Sequence, residues 1–332
     1  ELFGPSGIAT AKNEAVMLAE LHERIPAGSS FDLLQRQLRL FKAREVLRIG
    51  GRDLCGLASL EEVTAELSAL AAATLQRACE IIDALLRAEH GAPLLDVAGG
   101  SVREAEFTVF GMGKFGGNEL NFSSDIDLIY FYTSDRGETP GIPGPDGETR
   151  NRIPLHRYFV KLSDLLTKSI SQVTEDGFVF RVDLRLRPEG ESGEIANSLA
   201  AAETYYESWG QSWERSAMLK ARPVAGSRTL GEHLLERLEP FVYRRHLDYA
   251  MVEDIKLMKQ KIDRSLARER EGAQNLKLGK GGIREIEFFI QALQLIYAGK
   301  NPRLRERNSL KALDLLCSEG LIKLAERDQL AD

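Results

Sequence analysis

Residues 111–127 read Gly-Met-Gly-Lys-Phe-Gly-Gly-Asn-Glu-Leu-Asn-Phe-Ser-Ser-Asp-Ile-Asp, and this stretch decides the fold. An apolar run from Phe107 to Phe110 leads in, and a second from Ile126 to Tyr132 leads out. The spacing predicts two strands joined by a glycine-rich turn and a short connection. The second strand opens with Asp125 and Asp127. Residues two apart on a strand present their side chains to one face, with Cα atoms roughly 6.5–7 Å apart. Ile126 and Leu128 then point the other way, into a core. A backbone that can approach phosphate, followed by carboxylates that can hold a divalent ion, is the equipment of nucleotidyl transfer.

A third acid comes from residues 178–187, Phe-Val-Phe-Arg-Val-Asp-Leu-Arg-Leu-Arg. Their alternation predicts one long strand, with Phe178, Phe180, Val182, Leu184 and Leu186 on a buried face. Val179, Arg181, Asp183, Arg185 and Arg187 fall on the other face, and Pro188 ends the strand. If this strand pairs with the first acidic one, Asp125, Asp127 and Asp183 converge. Three hard oxygen donors on a rigid sheet suit Mg²⁺ or Mn²⁺. Arg185 and Arg187 continue the same polar face, Lys114 sits in the glycine turn, and Lys220 and Arg222 follow in Met-Leu-Lys-Ala-Arg-Pro. Guanidinium forks bind phosphate bidentately. The candidate catalytic and metal-binding residues are therefore Asp125, Asp127 and Asp183. The candidate nucleotide- or phosphate-binding residues are Gly113, Lys114, Gly116, Gly117, Ser124, Arg185, Arg187, Lys220 and Arg222. Taken singly, each has a plainer reading as a turn cap, a solvated strand residue or a salt-bridged surface group; the combination favours the site.

Two look-alikes fit less well. Gly111-x-Gly113-x-x-Gly116 after a strand matches the dinucleotide fingerprint, but that fold needs a helix directly after the turn and an acid at the end of the next strand. Here the acids come about a dozen residues on, at the strand's start. Nor is Gly113-Lys114 a Walker A motif, because Phe115 stands where a Ser or Thr would hold Mg²⁺.

Outward from this core the chain reads helical. Leu33, Leu34, Leu38, Phe41 and Val46 are spaced as on one helix, and Ser59 with Glu62 forms a capping box that starts a long alanine-rich helix to about Leu86. Residues 89–101 read as a linker and residues 135–150 as a mobile Pro/Gly loop. A helix is expected over about 153–171, with further helices at about 199–215, 229–239, 248–270, 284–298 and 309–317. This is an α+β fold with three regions: 1–104 helical, 105–225 the core with the site, and 226–332 helical.

The 332 residues are 43% hydrophobic, enough for a real core and for more than one domain. The net charge of −6 argues against nucleic acid as the main substrate. Cys55, Cys79 and Cys317 stand far apart and read as reduced thiols, and no two of the five histidines pair at i, i+4. There is no apolar run of 18 residues and no secretory signal at the start, so no membrane partner and a cytoplasmic location are expected. The chain opens on Glu1 and closes on Asp332 without a stop signal, which reads as part of a longer polypeptide.

The order glycine turn, Asp-x-Asp, then a third Asp on a later strand resembles the DNA polymerase β-type nucleotidyltransferase superfamily. Longer strings, 111–129, Val-Asp-Leu-Arg-Leu-Arg-Pro at 182–188, Trp-Glu-Arg-Ser-Ala-Met-Leu-Lys-Ala-Arg at 213–222 and Lys-Leu-Gly-Lys-Gly-Gly-Ile-Arg-Glu-Ile-Glu-Phe at 277–288, resemble one family closely. It is the bifunctional glutamine synthetase adenylyltransferase/adenylyl-removing enzymes, and the likeness runs from about residue 31 to 315. Phe-Ser-Ser-Asp-Ile-Asp and Gly-Gly-Ile-Arg-Glu-Ile-Glu-Phe resemble the N-terminal, removing half. The resemblance implies a nucleotidyltransferase core flanked by helices, with metal on Asp125, Asp127 and Asp183. It implies phosphorolysis of adenylyl-tyrosine on glutamine synthetase, consuming phosphate and releasing ADP, under regulation by the PII signal protein. The alternatives are the adenylylating half, which transfers AMP from ATP, and a non-catalytic module that binds nucleotide or PII.

Two further features carry expectations. Tyr205, Trp209 and Trp213 recur every four residues and read as one helical stripe, packed or stacking on adenine. Gly279-Lys-Gly-Gly-Ile-Arg-Glu introduces a helix, with Glu285 and Glu287 in its first turn, either as a structural start or as an anion contact.

Overall fold

A computed structural model describes residues 10–96, 103–244 and 282–331. The chain divides into two compact units, one of residues 1–204 with 222–235 and the other of 205–221 with 236–332. These divisions differ from boundaries at 104 and 225, because the N-terminal helices share a core with the sheet. The expected helix at 248–270 and residues 279–281 lie outside the described residues.

The first unit opens with three helices, α1 (Glu14–Arg24), α2 (Phe31–Leu54) and α3 (Leu60–His90). The capping box at Ser59 and Glu62 is formed in both directions and starts α3 where expected. Ala71, Ala72 and Ala73 are all buried in α3; small side chains let neighbours approach a helix closely on several sides. Two short strands follow, β1 (Leu94–Leu95) and β2 (Arg103–Glu104), then the two that matter most, β3 (Phe107–Gly111) and β4 (Ile126–Tyr132). Between β3 and β4 stands one helical turn, α4 (Gly113–Gly116).

β3 and β4 pair antiparallel, Phe107 opposite Tyr132 and Gly111 opposite Leu128. A dinucleotide-binding unit would require parallel strands joined by a full crossover helix, so that look-alike is excluded here. On the other edge of β4 lie two parallel neighbours, β8 (Val182–Asp183) at its start and β9 (Ala196–Ser198) at its end. β10 (Arg222–Gly226) pairs antiparallel with β3 and completes a five-stranded sheet. Ile126, Leu128, Tyr130 and Tyr132 all join the core shared with α3 and α5 (Leu155–Ser171). Asp127 is the one residue of β4 that is not buried.

Three expectations are corrected. Residues 178–187 do not form one long strand. Only Val182 and Asp183 pair, and Val179 and Phe180 are both buried, which breaks the alternation. The chain leaves the sheet after Asp183 into turns that reach a short 3-10 segment, Gly190–Ser192. Residues 135–150 are not a bare loop. They hold β5 (Gly137–Glu138), paired with β1, and a small hairpin of β6 (Ile142–Pro143) and β7 (Thr149–Arg150). The helix over 199–215 is broken into α6 (Leu199–Ser208) and α7 (Ser212–Met218). At Gly210 between them, a Cβ would stand 2.5 Å from both the Phe241 ring and the Tyr206 carbonyl. The aromatic stripe is therefore not continuous: Trp209 is 70% exposed, while the Tyr205 hydroxyl donates to Glu214 Oε1.

The second unit carries α9 (Ile283–Tyr297), α10 (Ser309–Ser318) and α11 (Leu324–Ala331), preceded by α8 (Arg228–Val242), whose C-terminal half belongs here. Ile290, Leu304, Leu313 and Leu316 centre its own core.

Candidate active site

The site lies where β3 ends and β4 begins. Met112 turns the chain out of β3, and its N–H donates to the Asp127 carbonyl at 2.9 Å. This pins the start of the glycine turn to the strand carrying the acids. Gly113 has φ +52°, and a Cβ there would stand 2.9 Å from Asp127 Oδ2. Turn and carboxylate share a space that only glycine leaves open. Gly116 and Gly117 are buried, and the Gly117 N–H closes the turn on the Gly113 carbonyl at 3.0 Å. Lys114 is half-buried within it.

Arg222 supports this turn from β10. Its Nε donates to the Gly116 carbonyl at 3.1 Å and its Nη2 to the Phe115 carbonyl at 3.0 Å, with the guanidinium 5.8 Å from the Phe115 ring centroid. From α3, Ser68 Oγ accepts the Leu120 N–H at 3.1 Å and steadies the connection that follows. Ser124 is half-buried, and its N–H donates to the Asn121 carbonyl.

Asp127 and Asp183 are direct partners in the parallel pairing of β4 and β8. In-register neighbours lie about 4.8 Å apart and send side chains to the same face. Asp125 stands just before β4. The Ile126 N–H donates to the Arg181 carbonyl at 2.9 Å, extending the pairing back one step. This brings Arg181 to Asp125: its Nε donates to Oδ1 at 2.5 Å, and its Nη2 to the Ser123 carbonyl at 2.5 Å.

Arg185 wraps Asp183. Its backbone N–H donates to Oδ1 at 2.8 Å, its Nε reaches both carboxylate oxygens at 3.1 and 3.0 Å, and its Nη2 reaches Oδ2 at 2.5 Å. This guanidinium holds the Asp183 carboxyl below its ordinary value against the opposing push of partial burial. Arg187 does not continue the polar face. It folds back on the carbonyls of Leu184, Glu191 and Gly193 at 2.9, 2.9 and 3.1 Å and ties off its own loop. Lys220 belongs to the second unit, where it is 5% exposed and donates to Glu287 at 3.2 Å and Ser309 Oγ at 2.9 Å.

The chemistry of the donors suits a hard divalent ion, since Asp125, Asp127 and Asp183 offer carboxylate oxygens along one end of the sheet. Among the described residues, however, no three His, Cys, Asp or Glu side chains close into a ready metal cluster. Arginines hold oxygens of Asp125 and Asp183 instead. Arg181 falls on the polar face of the 178–187 pattern but is not among the candidate residues named from the sequence. Its signal was the alternation that set it two residues before Asp183.

A family model described as glutamate-ammonia ligase adenylyltransferase matches residues 1–237, and one described as GlnD PII-uridylyltransferase matches residues 256–332. The chain is 43% identical over 312 residues to the bifunctional glutamine synthetase adenylyltransferase/adenylyl-removing enzyme of Pseudomonas aeruginosa, covering 94% of this chain and 30% of that one. It is 44% identical over 330 residues to the protein of the same name from Nitrosococcus oceani, covering 99% of this chain and 32% of that one. The corresponding protein of Thioalkalivibrio sulfidiphilus is 41% identical over 330 residues, covering 99% and 33%. The chain thus spans about a third of the length of the curated relatives it matches.

Proposed function

The chain belongs to the glutamate-ammonia ligase adenylyltransferase family, and from that premise we propose that it removes AMP from glutamine synthetase by phosphorolysis. The observation that carries the reading is the in-register pair Asp127 and Asp183 beside the open turn at Gly113. The choice of removal over addition rests on the resemblance of Phe-Ser-Ser-Asp-Ile-Asp at 122–127 to the removing half of that family.

In the proposed reaction an oxygen of inorganic phosphate attacks the phosphorus of adenylyl-tyrosine. The bond to the tyrosine oxygen breaks, the phenolate takes up a proton, and the AMP moiety leaves as ADP. Asp125, Asp127 and Asp183 are assigned to Mg²⁺ or Mn²⁺, which when bound supplies neutralisation of phosphoryl and phenolate charge. The chain itself contributes position. Gly113 leaves room beside Asp127, Arg222 fixes the turn, and Lys114 and Arg185 add positive charge for an anionic substrate. The PII signal protein is proposed as regulator, supported by the match of residues 256–332 to a PII-uridylyltransferase model. A cytoplasmic location is part of the same reading; no described helix is long and apolar enough to cross a membrane.

The test supplies adenylylated glutamine synthetase with and without phosphate. Phosphate-dependent ADP release is expected, and Asp127→Asn should lower it by about a hundredfold or more without loss of helical circular dichroism. AMP incorporation from ATP into unmodified glutamine synthetase, with no ADP release from the modified form, would instead assign the adenylylating activity.

A further inference from the structure

The acid cluster is already neutralised in part by the chain itself. Arg181 and Arg185 occupy oxygens of Asp125 and Asp183, the positions a cation would take. Neither guanidinium is locked in place by burial: the Arg181 and Arg185 side chains are 56% and 70% exposed. The Arg181–Asp125 pair is exposed on both sides, Asp125 being 49% exposed, and pairs of this kind are weak, so a divalent ion can displace it. At Asp183, which is 16% exposed, the ion competes with the several bonds from Arg185. Arg181 also has a second anchor, its bond to the Ser123 carbonyl. That bond does not involve the carboxylate, so the side chain stays beside the cluster when Nε lets go.

We propose that Arg181 and Arg185 are exchangeable counter-ions: a divalent cation takes the carboxylates, and the released guanidiniums become the seat of an anionic phosphate group. This rests on the metal reading of the site given above. Charge makes the exchange consequential. Three carboxylates and two guanidiniums carry one net negative charge, and a divalent ion reverses it to one positive. Without the two arginines the loaded cluster would stay negative and repel phosphate. With them, each ligand prepares the site for the other. Cation and phosphate must then strengthen one another's binding by the same factor, because coupling between two binding equilibria is reciprocal. The freed guanidiniums supply forked donors of the geometry that phosphate oxygens accept.

The experiment is a Mn²⁺ titration of the whole chain, followed by the electron paramagnetic resonance signal of the free aquo ion, with and without inorganic phosphate. Phosphate should tighten Mn²⁺ binding to the unaltered chain. Arg181→Gln should bind Mn²⁺ about two- to fivefold more tightly in the absence of phosphate, the span that releasing one exposed ion pair allows. It should also lose part of the phosphate enhancement. Arg150→Gln, which breaks an exposed pair with Asp146 outside the cluster, should change neither. Unchanged or weaker Mn²⁺ binding by Arg181→Gln, with the unaltered chain binding normally, overturns the exchange and leaves the metal reading standing. Failure of the unaltered, folded chain to bind Mn²⁺ at all overturns the metal reading and the exchange together.

Discussion

At Gly113 the demands of backbone and site coincide. An L-residue held at φ +52° costs about 1–2 kcal/mol, and its Cβ would also press on Asp127 Oδ2. Gly113→Ala should therefore lower stability by about that amount in urea denaturation. It should also cut turnover well beyond what the stability loss explains, because the carboxylate must shift. Asp183 sets a pH dependence whose sign follows from Arg185. The folded-state value of its carboxyl is depressed, so its contribution to stability is fully present above the ordinary carboxylate range. It is lost only as pH falls through the depressed value. A carbon-13 NMR titration of the side-chain carboxyl should show Asp183 protonating at lower pH than an unpaired aspartate, and Arg185→Gln should move it back up. At this scale the sequence was most readable where chemistry is local. The Asp-x-Asp pair and the glycine beside it sit within 15 residues. Arg222 and Arg187 read as phosphate ligands, yet the structure has them bonded to backbone carbonyls. Nothing in an arginine's identity says whether it will meet a carbonyl or a ligand.

Among the elements, α2 and α3 are joined by more than apolar contact. Glu45, Arg48 and Glu66 are at most 3% exposed. Arg48 donates to Glu45 at 2.7 Å and to Glu66 at 2.5 Å, while Lys12 donates to Glu45 at 2.9 Å. Burial pushes the Glu45 carboxyl up, and Arg48 and Lys12 more than offset it, so it lies below its ordinary value. Removing one member leaves the others charged and dry. Glu45→Gln should cost about 3–5 kcal/mol at neutral pH, read by urea denaturation. The capped start of α3 was legible because both halves of the capping box, Ser59 and Glu62, lie three residues apart in sequence. β10 was not. Arg222-Pro223-Val-Ala-Gly226 lacks alternation and carries a proline, which a strand tolerates because β10 lies on the sheet edge and its register shifts between Pro223 and Ala225. Likewise the clean alternation over 178–187 exaggerated its strand, since only Val182 and Asp183 stand in register with β4 and the Arg181 carbonyl adds a single further bond to it.

Among the described residues, one core centres on α3 and the sheet and another on α9 and α10. If the two unfold independently, each has its own transition. Leu313, 1% exposed in the second core, is the place to test this. Leu313→Ala should cost about 2–5 kcal/mol. In scanning calorimetry it should lower the transition of the second unit and leave that of the first in place. A single transition shifted as a whole would show that the chain unfolds as one cooperative body.

The order of residues by itself determined the glycine turn, the two strands around it, the acids that open the second, and the long helices, because each depends on neighbours a few positions away. It also carried the family resemblance, which is a property of strings. Only the tertiary structure decided that Asp183 stands in register with Asp127, that Arg181 reaches Asp125, and that Lys220 is buried against Glu287 and Ser309. Those relations join residues between 56 and 89 positions apart. Over such separations the partner of a charged side chain is set by which strands pair and which helices pack, and not by local pattern.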